Sequence, residues 1–121
     1  MHELSVAQAL VEQIDAIVRE RQADAAKSFR VRIGPLSGVV PELLESAFSL
    51  AAAGSCAEQA AMQLVEAPVR VRCQTCGAET DAAMNRLLCG ACGDWHTQLI
   101  SGDELILESV ELQMPEMLEK Q

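Results

Sequence analysis

Four cysteines carry the most specific chemistry in this chain. Cys73-Gln74-Thr75-Cys76 and Cys89-Gly90-Ala91-Cys92 are two Cys-x-x-Cys pairs separated by residues 77–88. Two sulfurs three positions apart can turn to one side of a tight bend, and two such bends supply the tetrahedral thiolate set that Zn²⁺ prefers. Glycine follows each pair, as Gly77 and Gly93. It tolerates positive φ, so the chain can curl over a metal with its amide hydrogens aimed at the sulfurs. Two disulfides, a redox dithiol and an iron–sulfur cluster are the alternatives; the doubled, glycine-closed pattern fits a zinc ribbon better. With four protein thiolates there is no open coordination position, so such a site holds a fold together and does no catalysis.

The second candidate is Met1-His2-Glu3. A free terminal amine, the backbone nitrogen of His2 and its imidazole Nδ1 can close fused five- and six-membered chelate rings on one ion. Those nitrogens lie in a plane, which suits Ni²⁺ or Cu²⁺ better than Zn²⁺ or Mg²⁺. A fourth donor could come from the Glu3 amide, its carboxylate or a residue elsewhere. The competing reading is a solvated histidine side chain. Metal binding here requires an unblocked amine, since acetylation removes a donor; the bulk of His2 is expected to leave Met1 in place.

The remaining candidates are weaker. His96, four residues past the last knuckle cysteine, reads either as a surface histidine beside Trp95 or as an exchange ligand at the zinc lobe. Cys56 reads as a small buried hydrophobe. Leu36-Ser37-Gly38-Val39 has no histidine near it in sequence and reads as a turn or a docking surface.

Several elements must position these residues. From Glu3 to about Arg21, Val6, Leu10, Ile14, Ile17 and Val18 recur at helical steps opposite a polar stripe, with Asp15 and Arg19 spaced for an intrahelical ion pair. Phe29, Val31 and Ile33 alternate with Arg30 and Arg32 as a strand ending at Gly34-Pro35. Pro41 opens a second helix with Leu44, Ala47, Phe48 and Ala51 on its inner face, stopping at Gly54. Ser55 and Glu58 have capping-box spacing, which predicts a short helical turn through Ala57 to Ala61. One long, bent strand is expected from Met62 through Val71 into the first knuckle, and a third strand over Glu104 to Leu112. The fold class read from this order is α+β: a small three-stranded sheet covered by two helices, with an inserted zinc-ribbon lobe.

Composition removes several function classes. Eighteen acidic residues against nine basic ones give a formal charge of −9, which repels a phosphate backbone, and two Phe and one Trp leave little for base stacking. No nucleic acid is expected as a partner. No apolar run approaches the roughly 20 residues of a membrane span, and the first residues lack a signal-peptide pattern. No membrane partner is therefore expected, and a cytoplasmic location is. In that compartment cysteines are thiols or metal ligands rather than disulfides.

Met1-His2-Glu3-Leu4-Ser5, Ile33-Gly34-Pro35-Leu36-Ser37-Gly38-Val39, the two Cys-x-x-Cys-Gly knuckles and Ser101-Gly102-Asp103-Glu104-Leu105 together resemble the HypA/HybF family of hydrogenase maturation nickel chaperones, over about residues 1 to 112. The resemblance implies a non-enzymatic nickel metallochaperone that binds Ni²⁺ at its N-terminus and delivers it to the large subunit of [NiFe]-hydrogenase with a partner GTPase, and in some bacteria also to urease. Carried over, His2 with Met1 and Glu3 is the nickel site, and Cys73, Cys76, Cys89 and Cys92 bind a structural zinc. The order of elements gives residues 1–72 and 97–113 as the α+β domain that would bind nickel, 73–96 as a zinc-ribbon lobe and 114–121, which show no pattern, as a frayed tail, and a monomer or weak homodimer is expected. Two departures touch no metal ligand: Gly90 where the family often has proline, and Glu45-Ser46-Ala47 in place of a more aromatic second helix. The alternative is a zinc-ribbon protein–protein interaction module with an inert N-terminus.

Overall fold

The computed structural model describes residues 3–115. In chain order the elements are α1 (Glu3–Glu20), β1 (Ala25–Ile33), α2 (Pro41–Ala51), β2 (Ala61–Glu66), β3 (Arg70–Cys73), β4 (Glu79–Asp81), β5 (Thr97–Ser101) and β6 (Leu105–Gln113). The strands form two three-stranded sheets, ordered β2-β1-β6 and β4-β3-β5. The described chain divides into two compact units, one of residues 3–31, 40–63 and 107–115 and the other of 32–39 and 64–106.

In the first unit the helical periodicity of α1 is the burial pattern itself. Val6, Ala7, Leu10, Val11, Ile14 and Val18 are buried. They form a core with Leu44 and Phe48 of α2 and with Phe29 and Val31 of β1. Phe29 and Phe48 meet with ring centroids 4.6 Å apart, the tilted geometry that aromatic quadrupoles favour. α1 ends by placing Gln22 at φ 54, so that Ala23 N–H reaches the Val18 carbonyl at 2.9 Å. Asp15 does not pair with Arg19 as their spacing predicts. Its Oδ1 accepts the Cys56 N–H at 3.2 Å, and the Cys56 carbonyl accepts the Ala26 N–H at 3.0 Å, so Asp15 ties the 55–57 turn to the start of β1.

α2 has proline in its first turn and an N-cap, Val40, whose side chain offers no cap. The carboxylate of Glu3 accepts the Val40 N–H at 3.1 Å, joining the first residue of α1 to the start of α2. The turn expected after Ser55 is short and ends where β2 begins at Ala61: the Ser55 and Ala57 carbonyls accept the Glu58 and Ala60 N–H groups at 3.2 and 3.0 Å, while Ser55 Oγ donates to the Ala52 carbonyl at 2.7 Å and accepts the Ala57 N–H at 3.0 Å.

The second unit holds β3, β4 and β5. The run from Met62 to Val71 is broken at Ala67-Pro68 into β2 and β3, which belong to different sheets. β3 pairs antiparallel with β4 and β5, aligning Val71 with Thr80 on one side and with Leu99 on the other. Arg70 and Arg72 reach Asp81 and Glu79, each at 2.6 Å, across the exposed face.

The glycine loop at 34–38 is pinned to the turn before β6. Gly34 N–H donates to the Glu104 carbonyl at 2.9 Å and Leu36 N–H to the Gly102 carbonyl at 2.7 Å. A β-carbon on Gly34 would lie 2.1 Å from the Gly102 oxygen, so only glycine fits this approach. Glu104 Oε1 accepts the Gly102 N–H at 2.6 Å. That bond, with Arg32 nearby, holds the Glu104 carboxyl below its ordinary pKa against the opposing effect of burial. The region expected to fray, 114–121, lies outside the described residues from position 116 onward, and Met114 and Pro115 belong to no helix or strand.

Candidate metal centre

Cys73 ends β3, and the other three cysteines stand on turns that the β4-β3-β5 sheet carries. The two knuckles repeat one hydrogen-bond scheme. Cys73 Sγ accepts the N–H groups of Thr75 and Cys76, each at 3.3 Å; Cys89 Sγ accepts those of Ala91 and Cys92 at 3.3 and 3.4 Å. Gly77 N–H reaches the Cys73 carbonyl and Gly93 N–H the Cys89 carbonyl, both at 2.9 Å. These glycines stand at φ 79 and 78, the conformation their position after each pair leads one to expect.

The four sulfurs converge to within 4.8 Å of one another, the one such group of His, Cys, Asp and Glu among the described residues. Cys73 and Cys92 sulfurs are 3.6 Å apart, as are those of Cys76 and Cys89. Zn–S bonds of about 2.3 Å in a tetrahedron require sulfurs roughly 3.8 Å apart, so the cage has the right size for that ion.

Its electrostatics ask for a cation. The Cys76 N–H, followed by that of Thr75, holds the Cys73 thiol below its ordinary pKa, and the N–H groups of Cys92 and Ala91 bring Cys89 down to about 6. In Cys92 the Asp94 N–H lowers the pKa, but the Cys73 sulfur and burial outweigh it, and the thiol is pushed up to about 12. In Cys76 the lowering by the Ala78 N–H is likewise overcome by the Cys89 sulfur and burial, and the pKa is raised. Thus one sulfur of each knuckle has its pKa lowered and the other has it raised by the crowding of its neighbours. A divalent ion among the four would satisfy all the donors, so the residues fit zinc.

Sequence reasoning missed the groups that brace the knuckles. Asp94 accepts hydrogen bonds from the Thr75 hydroxyl and, at 2.7 Å, from the Trp95 N–H, crossing from one knuckle to the other. The Thr75 bond and the contact with His96 lower its pKa to about 2. The only available signal was an acid directly after a knuckle glycine. Thr80 Oγ1 accepts the Gly90 N–H at 2.8 Å, a bond that proline at this position could not make.

His96 is held outside the cage. Its Nδ1 meets Asp94 Oδ1 at 3.0 Å and its ring stacks on Trp95 with centroids 3.8 Å apart. Cys56 is half-buried and apart from the sulfur cluster. The Leu36-Ser37-Gly38-Val39 segment is the loop pinned to Gly102, closed by Ser37 Oγ accepting the Val39 N–H at 3.2 Å. Of the proposed nickel residues, Met1 and His2 lie outside the described residues. Glu3 opens α1 and is bonded to Val40.

A closed thiolate cage on a small α+β chain defines a protein that carries metal as part of its build, not one that turns over a substrate on that cage. Comparison with known proteins gives the family. The model of the hydrogenase/urease nickel incorporation metallochaperone family HypA matches residues 1–112, and the chain belongs to that family. It is 42% identical over 112 residues to the hydrogenase maturation factor HypA of Nitrosospira multiformis, spanning 93% of this chain and 97% of that one. Against the Aquifex aeolicus protein of the same name identity is 39%, over 94% and 99% of the two chains. The solution structure of the Ni metallochaperone HypA from Helicobacter pylori superposes with a TM-score of 0.71 at 26% identity, covering 95% of this chain and all of that one. The protein is therefore a maturation factor of the nickel metallochaperone kind and not an enzyme. No helix among the described residues is long and apolar enough to cross a membrane.

Proposed function

We propose that this chain binds Ni²⁺ through Met1, His2 and Glu3 and hands it over for insertion into the large subunit of [NiFe]-hydrogenase, with the Cys73, Cys76, Cys89 and Cys92 cage holding a structural zinc. The observation that carries this reading is the nickel-incorporation family match over residues 1–112, which includes the Met-His-Glu start. The description of that family names urease beside hydrogenase as a destination of nickel.

The chemistry supports a carrier. The terminal amine, the His2 amide nitrogen and the His2 imidazole offer three nitrogens in a plane, enough to hold Ni²⁺ and few enough to release it. The bond from Val40 to the Glu3 carboxylate supports the Glu3 amide nitrogen as its contribution to the nickel, with the carboxylate fixing the root of the site. Zinc would supply charge neutralisation and cross-linking to a lobe too small to fold by apolar burial alone. The chain's acidic balance favours a partner with a basic docking surface, and the GTPase of hydrogenase maturation is the partner proposed.

The test is a Ni²⁺ titration of the untagged chain and of His2→Ala, with zinc content and circular dichroism measured in parallel. Loss of nickel binding at unchanged zinc and helix content is expected. Equal binding by the two proteins would move the reading to a zinc-ribbon interaction module.

A further inference from the structure

The zinc lobe carries a group of exposed side chains that play no part in the cage. Trp95, the one tryptophan of the chain, is 69% exposed, and Met84 and Leu87 stand exposed on the loop before the second knuckle. Single exposed apolar residues are ordinary, but the backbone links these three. Arg86 N–H donates to the Ala83 carbonyl at 3.0 Å, closing a turn with Met84 at its tip, and the Thr97 hydroxyl donates to the Leu87 carbonyl at 2.6 Å. Thr97 N–H in turn donates to the Trp95 carbonyl at 2.8 Å, so one threonine ties that loop to the segment bearing the indole.

The indole is fixed in place. Its ring stacks on His96 with centroids 3.8 Å apart, His96 Nδ1 meets Asp94 Oδ1 at 3.0 Å, and the same carboxylate accepts the Trp95 N–H at 2.7 Å. A side chain held before contact loses little freedom on binding, which is what turns an exposed aromatic into an anchor.

Charge specifies the occupant. From Cys73 to His96 the full charges are Glu79, Asp81, Arg86 and Asp94. Glu79 pairs with Arg72, Asp81 with Arg70, and Asp94 with Thr75 and His96. Arg86, exposed between Met84 and Leu87, has no ion-pair partner among the described residues. Tryptophan, methionine and arginine are the residue types that protein interfaces concentrate. A formal charge of −9 repels nucleic acid, and a second copy meeting this face with its own would set two Arg86 guanidinium groups in one interface. An apolar segment of another protein that brings a carboxylate satisfies every group.

We propose that Met84, Arg86, Leu87 and Trp95 form a docking face of the zinc lobe for an acidic, apolar segment of a partner protein. The inference stands apart from the nickel reading: it uses no N-terminal residue, and its test follows the lobe alone.

The chain has one Trp and no Tyr, so indole fluorescence reports this face. The experiment titrates the full, zinc-loaded chain with two short synthetic peptides, one of alternating leucine and glutamate pairs and one with lysine in place of each glutamate. The acidic peptide is expected to shift Trp95 emission to the blue in a saturable way, and the basic peptide to leave it unchanged. Leu87→Ser should weaken binding of the acidic peptide by at least about fivefold. Arg86 has no ion pair to lose, so Arg86→Glu keeps the test valid if Leu87→Ser loosens the lobe; it should weaken the acidic peptide by about fivefold and admit the basic one. Zinc content and circular dichroism of each variant are compared with the parent. No response to the acidic peptide, an equal response to both peptides, or a response untouched by Arg86→Glu would overturn the proposal. Emission that moves to the blue with chain concentration alone would also overturn it, by making a second copy the occupant.

Discussion

The two places where this chain can meet a metal follow opposite plans. Around the four cysteines everything is local and complete: each knuckle supplies its own sulfurs, the amides that polarise them and a glycine to close the turn. At the proposed nickel site the donors belong to three consecutive residues, and the first described one, Glu3, accepts the N–H of a residue 37 positions away. A site that brings all four donors has no vacancy for exchange, whereas one built from a chain start and a single imidazole depends on what anchors it. Under the proposed function, holding and carrying are divided between donor sets, soft thiolates for the ion that stays and planar nitrogens for the ion that leaves.

The sharpest way to break that contrast is to remove the holding site. Cys73→Ser, or chelation of zinc, should abolish order in the 73–96 lobe while helical circular dichroism from α1 and α2 persists; loss of the whole signal would mean that the cage supports the entire chain. Next in size is a stepped acid titration of the doubly loaded protein. An unperturbed imidazole titrates at about 6.5, and the His2 amide must also stay deprotonated, so protons compete for nickel as soon as pH falls below neutral. Cys73 and Cys89 each accept two N–H···S bonds, and the closed set of four sulfurs should keep zinc after nickel has gone. Metal analysis at each step decides, and zinc leaving first would reverse the assignment of holder and carrier.

Two smaller effects test the support of the second unit. Gly34→Ala forces a β-carbon to within 2.1 Å of the Gly102 oxygen, and a loss of about 2–3 kcal/mol in urea unfolding is expected. A neutral result would show that the loop yields easily. Glu104→Ala removes the acceptor of the Gly102 N–H and should cost about 1 kcal/mol. Because the folded Glu104 carboxyl lies below its ordinary value of 4.5, its contribution is present above that pH and is lost as pH falls through the folded pKa. The variant and the parent should therefore differ at neutrality and converge in acid. A difference that grows on acidification would contradict the sign.

What could be read from residues alone was whatever is local in the chain. The cysteine knuckles, the periodicity of α1 and the proline-opened α2 all declare themselves within a few positions. β4 did not, because Glu79-Thr80-Asp81 has no apolar alternation and is held by the cross-strand partners Arg70 and Arg72. β5 hid for a related reason: Leu99 and Ile100 are adjacent, which breaks the period of two. The single long strand expected from Met62 was an error of continuity, since apolar residues resume at Val69 but Pro68 intervenes and the pieces join different sheets. The Ile33–Val39 and Ser101–Leu105 motifs, conspicuous in the sequence as separate signatures, turn out to be two sides of one clasp around Gly34 and Gly102. Nothing in either motif by itself points to the other.

The central claim is that nickel is carried by the first amino group and its neighbouring imidazole. It is tested most directly by titrating Ni²⁺ into the zinc-loaded chain with a native start and into the same chain with one glycine fused ahead of Met1. The extra residue leaves His2 in place but moves the amine out of the chelate ring. The account expects at least about a hundredfold weaker nickel binding, equivalent to roughly 2.7 kcal/mol, with zinc content unchanged. Equal affinity in the two proteins would contradict it.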